Sequence, residues 1–384
     1  MEKVKKSNNH KENYNLQTVL LNAIKPTSDL TVNRINSYPI TKHRIEQGYF
    51  QIQNRRYLGN KYKLLEFIQE IINLKCDKID SFCDIFGGTG VVGNKFNSKE
   101  VKIISNDLLN TNYVCLKTFF ETKVNIQLGI SKKIDYLNSL EVITDNYFSE
   151  NFGNTFFTIE NARKIGFIRE EIDRISENEE EKNILLCSLI YSVDKTANTV
   201  GHYDAFRKKL DAIKPIRLLI PNINFSKNQN NKVFNEDANS LIRKITCDVL
   251  YIDPPYNSRQ YSDAYHLLEN LAEWKKPKVE GIAKKMDRTH IKSAYCLKNA
   301  TQAFEDLIMN ANCKHILLSY NNTAKTKDDR SNARIEDKDI IRILKQRGSI
   351  EIFEKEYKAF TTGKSNGKGN LERIFYCKVN KLIY

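Results

Sequence analysis

A chain of 384 residues, 40% of them apolar, can bury one large core carrying an insertion, or two separate cores. Lys and Arg number 61 against 47 Asp and Glu, and the resulting +14 suits a polyanionic partner, although Lys, Asn and Ile are abundant throughout, as AT-rich coding sequence produces unaided. No run approaches the ~20 apolar residues of a membrane span, Met1 to Lys11 is polar rather than a secretory leader, and the eight cysteines stand singly without Cys-x-x-Cys spacing, so the expectation is a cytoplasmic bacterial protein without a structural metal, disulfides or membrane partner.

Residues 1–45 are polar and lack periodicity, which predicts an arm that is loosely ordered unless a partner holds it. Next comes Arg56-Tyr57-Leu58-Gly59-Asn60-Lys61, followed by Leu64, Leu65, Ile68, Ile71 and Ile72 at helical spacing. Gly59 allows close backbone approach, Tyr57 offers an aromatic plane and Lys61 a cation for a carboxylate. A plain helix-entry turn is the alternative.

Ser81 to Gly93 reads as an apolar strand, a turn with four glycines and a helix beginning near Val91, the opening of a nucleotide-binding α/β sheet. Asp84 in that turn would repel a phosphate but suits an ammonium, and the absence of Gly-Lys-Ser/Thr excludes a P-loop. The strand Val101 to Ser105 ends in Asn106-Asp107, where an acid grips a ribose diol in this class of fold; a helix N-cap is the competing reading of Asp107.

Residues 116–232 exceed what a minimal parallel sheet needs and predict a mostly helical insertion, with helix over Glu181 to Ser192 and a solvated acidic face over Glu170 to Glu181. Within it, Asp194 to Arg217 mixes Lys195, Arg207, Lys208 and further cations with His202 and Tyr203, a composition for phosphate and base-edge contact. The alternative is a surface helix with one basic face.

The organising stretch is Val249 to Tyr256, a buried strand entering Asp253-Pro254-Pro255-Tyr256. Two prolines lack donors and fix φ, so the turn is rigid and sits at the carboxyl edge of the sheet. Methyl transfer to a planar exocyclic amine wants such a turn. The lone pair of that amine is delocalised, and Asp253 with the Pro254 carbonyl offers two adjacent acceptors to localise it, while Tyr256 offers a face for stacking. A strand-to-loop turn with an incidental acid is the bland reading. Beyond it, Arg259 and Tyr261 lie in a polar loop able to close over a substrate, and Leu267, Leu268, Leu271 and Trp274 form a core stripe. Lys275 to Lys298 carries eight Lys or Arg against two acids, a second candidate for backbone contact with nucleic acid. A strand at His315 to Tyr320, a helix at 335–347 and a terminal antiparallel hairpin with a basic Gly-rich tip complete the sheet.

Taken in order, Arg-Tyr-Leu-Gly-Asn-Lys, Asp-Ile-Phe-Gly-Gly-Thr-Gly, Ser-Asn-Asp and Asp-Pro-Pro-Tyr resemble the Dam-like DNA adenine-N6 methyltransferases, and the catalytic loop is most similar to restriction-modification methylases of the FokI and NlaIII kind. The resemblance implies a Rossmann-like doubly wound mixed sheet built from 46–115 and 233–384, with target recognition in 116–232. It implies S-adenosylmethionine held by Tyr57, Gly59, Lys61, Asp84, Phe86, Gly88, Gly90, Asp107 and Asp237, the last otherwise a helix N-cap. It also implies catalysis by Asp253, Pro254, Pro255 and Tyr256 on a flipped adenine in double-stranded DNA, and a separate cognate endonuclease. Lys195, Arg207, Lys208, Arg259 and Tyr261 are the candidates for nucleic-acid contact. An RNA methyltransferase and a non-catalytic DNA-binding regulator are the rival functions.

Overall fold

A computed structural model of the chain describes residues 31–34, 48–123, 127–255, 258–320, 335–356 and 371–382. In chain order the strands are β1 Thr31–Arg34, β2 Tyr49–Phe50, β3 Ser81–Asp84, β4 Lys102–Asn106, β5 Ile220–Pro221, β6 Lys232–Phe234, β7 Thr246–Ile252, β8 Asn312–Ser319, β9 Gly348–Glu356 and β10 Leu371–Val379. The helices of the first half are α1 Leu65–Lys75, α2 Val91–Phe96, α3 Asn110–Glu121, α4 Gln127–Ser139, α5 Tyr147–Phe152, α6 Ile159–Ile175 and α7 Glu179–Thr196. Those of the second half are α8 Ala238–Leu241, α9 Tyr261–Ala264, α10 His266–Glu273, α11 Ala300–Met309 and α12 Asp337–Lys345.

Eight strands form one sheet in the order β1-β9-β10-β8-β7-β3-β4-β6, with β2 and β5 paired separately. From β8 to β6 all neighbours are parallel, whereas β10 runs antiparallel between β8 and β9. The terminal hairpin therefore completes the sheet as expected, but with its second strand placed inside. Thr31–Arg34, from the arm, pairs parallel with β9, a strand that the polar composition gave no reason to expect.

Strands covered on both faces need apolar residues in succession, and β7 shows the consequence. Val249 and Tyr251 enter the core beneath α1, α2, α3 and α10, while Leu250 and Ile252 enter the core beneath α8, α11 and α12. The sheet is thus covered by helices on both sides, the doubly wound arrangement. Buried residues of α4 to α7, such as Ile134, Phe152, Ile168 and Leu189, belong to the same continuous cluster as Phe82 and Val249, so the helical insertion is packed into that core. Residues 197–219 contain no helix, so the basic segment is not a surface helix with one charged face.

Because β4 lies on one side of β3 and β7 on the other, the chain reverses direction of travel across the sheet at the β3/β7 boundary. A crevice opens at the carboxyl ends of such a strand pair, and the conspicuous sequence motifs converge there.

Candidate active site

β3 ends in Asp84 and the glycine turn leans onto the end of β4, with Gly87 N donating to the Asn106 carbonyl at 2.7 Å and Gly88 N to Asp107 Oδ2 at 2.9 Å. Gly88 has φ +53°, and a Cβ there would stand 3.2 Å from the Tyr57 ring. A bare backbone at this point lets the tyrosine lie against the loop. Gly90 answers to a different constraint. With φ +80°, its Cβ would meet Leu116 at 2.7 Å, so packing against helix α3 by itself demands the glycine.

The second oxygen of Asp107 accepts from Leu109 N at 2.9 Å, so the acid bridges two loops and does not cap α3. The cap comes from Glu269 in α10, whose carboxylate accepts from Asn110 N, Thr111 N and Thr111 Oγ1 at 2.7, 2.9 and 2.7 Å. Burial pushes Glu269 up to about 7. Sequence reasoning passed over it; the one available signal was an acid inside the apolar stripe of Leu267, Leu268 and Leu271.

Tyr57 is stacked with Tyr265, ring centroids 4.7 Å apart, and with Tyr261 at 5.3 Å. Both partners also grip the next residue, since the Tyr265 hydroxyl accepts from Leu58 N at 2.7 Å and the Tyr261 hydroxyl donates to Leu58 O at 3.1 Å. Asn112 donates to the Tyr57 hydroxyl at 3.0 Å and accepts from the buried Arg55 guanidinium at 2.7 Å. Arg56 N donates to Asp194 at 2.8 Å, which anchors the motif to α7. With Gly59 turning at φ +72°, Lys61 folds inward, its Nζ 3.1 Å from the Gly59 carbonyl and 2.9 Å from Asp253 Oδ1. The lysine side chain is 6% exposed and the aspartate 17%, so this pair is far drier than a surface ion pair.

Asp84 is 1% exposed and its Oδ1 has no hydrogen-bond partner. Burial, followed by the charges of Asp253 and Asp107, pushes it up to about 8. Burial also raises Asp253, against the pull of Lys61. One cavity draws together Tyr57, Gly59, Phe86, Asp107, Asp237 and Asp253, with Pro255 and Tyr261 on its wall. Pro254 is buried. Phe86 meets Tyr295 edge-on at 5.0 Å. Asp237 is exposed at the rim and caps α8 through Ser240 N at 3.0 Å, so the N-cap reading holds even as the residue lines the cavity. Chemically, this is a negative, aromatic-walled slot suited to a cationic, planar ligand, with one carboxylate at its mouth held by a lysine. Among the described residues no group of three His, Cys, Asp or Glu side chains is placed to hold a metal ion.

The sequence profile of the D12 class of N6 adenine-specific DNA methyltransferases matches residues 57–332. This chain belongs to that family. It is 37% identical over 84% of its length to modification methylase StsI of Streptococcus sanguinis and 36% identical over 84% to the type II methyltransferase M.FokI of Planomicrobium okeanokoites. It covers 51% and 52% of those two proteins and so spans about half their length. Against the type II methyltransferase M.NlaIII of Neisseria lactamica it is 31% identical, with 82% of this chain matched to 95% of the relative. The resemblance carried by the four ordered motifs holds.

Tyr57, Gly59, Phe86, Asp107, Asp237 and Asp253 line the one cavity, with Lys61, Asp84, Gly88 and Gly90 packed behind or beside it rather than on its wall, while the candidates for nucleic-acid contact disperse. Lys195 is exposed in the last turn of α7, and Arg207 and Lys208 are exposed in the irregular segment, Arg207 paired with Asp211. Arg259 stands 3.5 Å from Asp204. Tyr261 lies within the cavity wall, stacked on Tyr57, rather than on an outer surface. Tyr203, read with its basic neighbours as an aromatic for base contact, is instead wholly buried. His266 is also buried, its Nε2 2.9 Å from the Tyr203 carbonyl, and burial pushes it down to about 4. Tyr256 and the Gly-rich hairpin tip lie outside the described residues.

Proposed function

We propose that the chain transfers a methyl group from S-adenosylmethionine to N6 of an adenine in double-stranded DNA. The observation that carries this reading is the buried Asp253–Lys61 pair, 2.9 Å apart, at the mouth of the cavity that Asp107 and Asp237 also line. The residues present fit the donor. Asp84 holds a buried, unsatisfied carboxylate oxygen, which suits an ammonium; Asp107 retains lone pairs beyond the two already in use; and Tyr57 and Phe86 supply flat walls. S-adenosylmethionine supplies an electrophilic methyl carbon on a sulfonium.

The protein's share is to place and polarise the amine. The Asp253 carboxylate and the Pro254 carbonyl accept its two hydrogens and draw the lone pair out of ring conjugation. An amine nitrogen that takes up a methyl group must shed a proton, and Asp253, whose proton affinity burial raises, would receive it. Lys61 keeps that carboxylate ionised beforehand. The target must leave the duplex to arrive, at a cost of a few kcal/mol, and stacking on Tyr256 of about 1–3 kcal/mol offsets part of it. Alignment of amine and methyl supplies much of the remaining acceleration.

The names of the relatives as modification methylases support a place beside a cognate endonuclease, whose cutting the methylation would block. Modified-base sequencing of a host expressing the chain tests base, position and site together. N6-methyladenine at one short sequence, missing from a host expressing Asp253→Ala, is the expected result. N4-methylcytosine, or methylation of ribosomal RNA alone, would overturn it.

A further inference from the structure

Residues 280–285 form a tight hairpin, with Glu280 N donating to Lys285 O and Lys285 N to Glu280 O, each at 2.9 Å. Gly281 at φ +72° and Lys284 at φ +52° turn the chain, and Ile282 between them is 86% exposed.

Two features bear on what this tip can meet. The first is its mounting. Lys285 binds Asp204 Oδ1 at 2.8 Å and Arg259 approaches Asp204 Oδ2 at 3.5 Å, so one carboxylate ties the hairpin to the loop that follows Asp253. A few residues further on, Arg288 pairs with Asp263 at 2.8 Å, Ser293 exchanges hydrogen bonds with Gln260 at 2.8 and 3.1 Å, and Ile291 and Ser293 line the cavity. The second is charge. Ile143 is equally exposed but lies between Glu141 and Asp145, where phosphate would be repelled, whereas Ile282 sits in the stretch with eight cations and two acids.

We propose that Ile282 is a wedge that enters the stacked bases of duplex DNA beside the target adenine, with Lys284 on a flanking phosphate and Lys278, which pairs with Glu280 at 3.1 Å, behind it. An apolar side chain between base steps unstacks them and stands in for the base that leaves. The inference rests on the reading of the chain as a DNA adenine methyltransferase and adds to it the element that opens the helix.

The test uses the full chain, S-adenosylmethionine and duplexes carrying the site mapped by sequencing, in two forms: target adenine paired with thymine, and target adenine mismatched. Ile282→Ala should slow methylation of the paired duplex about tenfold, with the deficit shrinking to about twofold or less on the mismatched one, because unpaired bases need less opening. Ile282→Phe should retain most of the paired rate. Equal rates for Ile282→Ala and the unaltered enzyme on the paired duplex, or an equal deficit on both duplexes, would overturn the wedge. Failure of the unaltered enzyme to methylate either duplex would count against the parent reading instead.

Discussion

The rim around Asp253 and the basic surface around residues 197–217 are built on opposite terms. At the rim, side chains are dry and held more than once: Lys61 by Asp253 and Gly59, Tyr57 by two stacked rings and Asn112, Asp107 by two backbone amides. On the basic surface, Lys195, Arg207 and Lys208 are exposed, and an ion pair such as Arg207–Asp211 forms in water. Each rim residue therefore has a single geometry and an abrupt cost of loss, whereas the surface cations act additively and are screened by salt.

The sharpest way to break this contrast is Asp253→Ala. Methyl transfer should fall by at least about a hundredfold, the scale of a lost acid–base partner, while S-adenosylmethionine affinity measured by calorimetry stays within severalfold. A rate near that of the unaltered enzyme would remove the rim from the chemistry. Lys61→Met should cost about tenfold or more. It should also move the acidic limb of the rate profile to higher pH, because a buried Asp253 without its cation holds its proton more tightly. An unshifted limb would mean that Lys61 does not set the charge of Asp253.

The pH dependence of cofactor binding sharpens the comparison further. An ammonium binds the ionised form of Asp84, and that acid is pushed up to about 8, so affinity should rise about tenfold per pH unit below about 8 and fall again above it, where the α-amino group itself deprotonates. Asp84→Asn should bind weakly, with a flat profile on the acidic side; a rising acidic limb in that variant would place the titration elsewhere. Glu269→Ala strands three donors at the start of α3 and should lower stability by about 2–3 kcal/mol in denaturant titration. The smallest effect belongs to the surface. Lys208→Ala should weaken DNA binding a few-fold and reduce the salt slope by about one, with S-adenosylmethionine binding unchanged.

The same division explains what was legible beforehand. Asp84, Asp107 and Asp253 follow strands whose apolar runs are unmistakable, so their convergence follows from the rule that parallel strands share a carboxyl edge. Side-chain company was not legible. Nothing in the spacing of Tyr57, Tyr261 and Tyr265 announces a three-ring stack across 200 residues, and Glu269 was passed over as one acid on an apolar helix. Tyr203 misled for a related reason, because a tyrosine among lysines looks exposed until the irregular backbone around it turns the ring inward. The constraint of α3 packing on Gly90 was likewise invisible in a glycine-rich turn.

The position of β10 bears on how the fold assembles. Residues 371–379 are translated after β8 and β9 yet must slot between them, so both partners are synthesised before the strand that joins them exists. Until then β8 presents a bare apolar margin to the cell, and a nascent chain halted upstream of Leu371 is a candidate for chaperone capture or aggregation even with Asp253 already made.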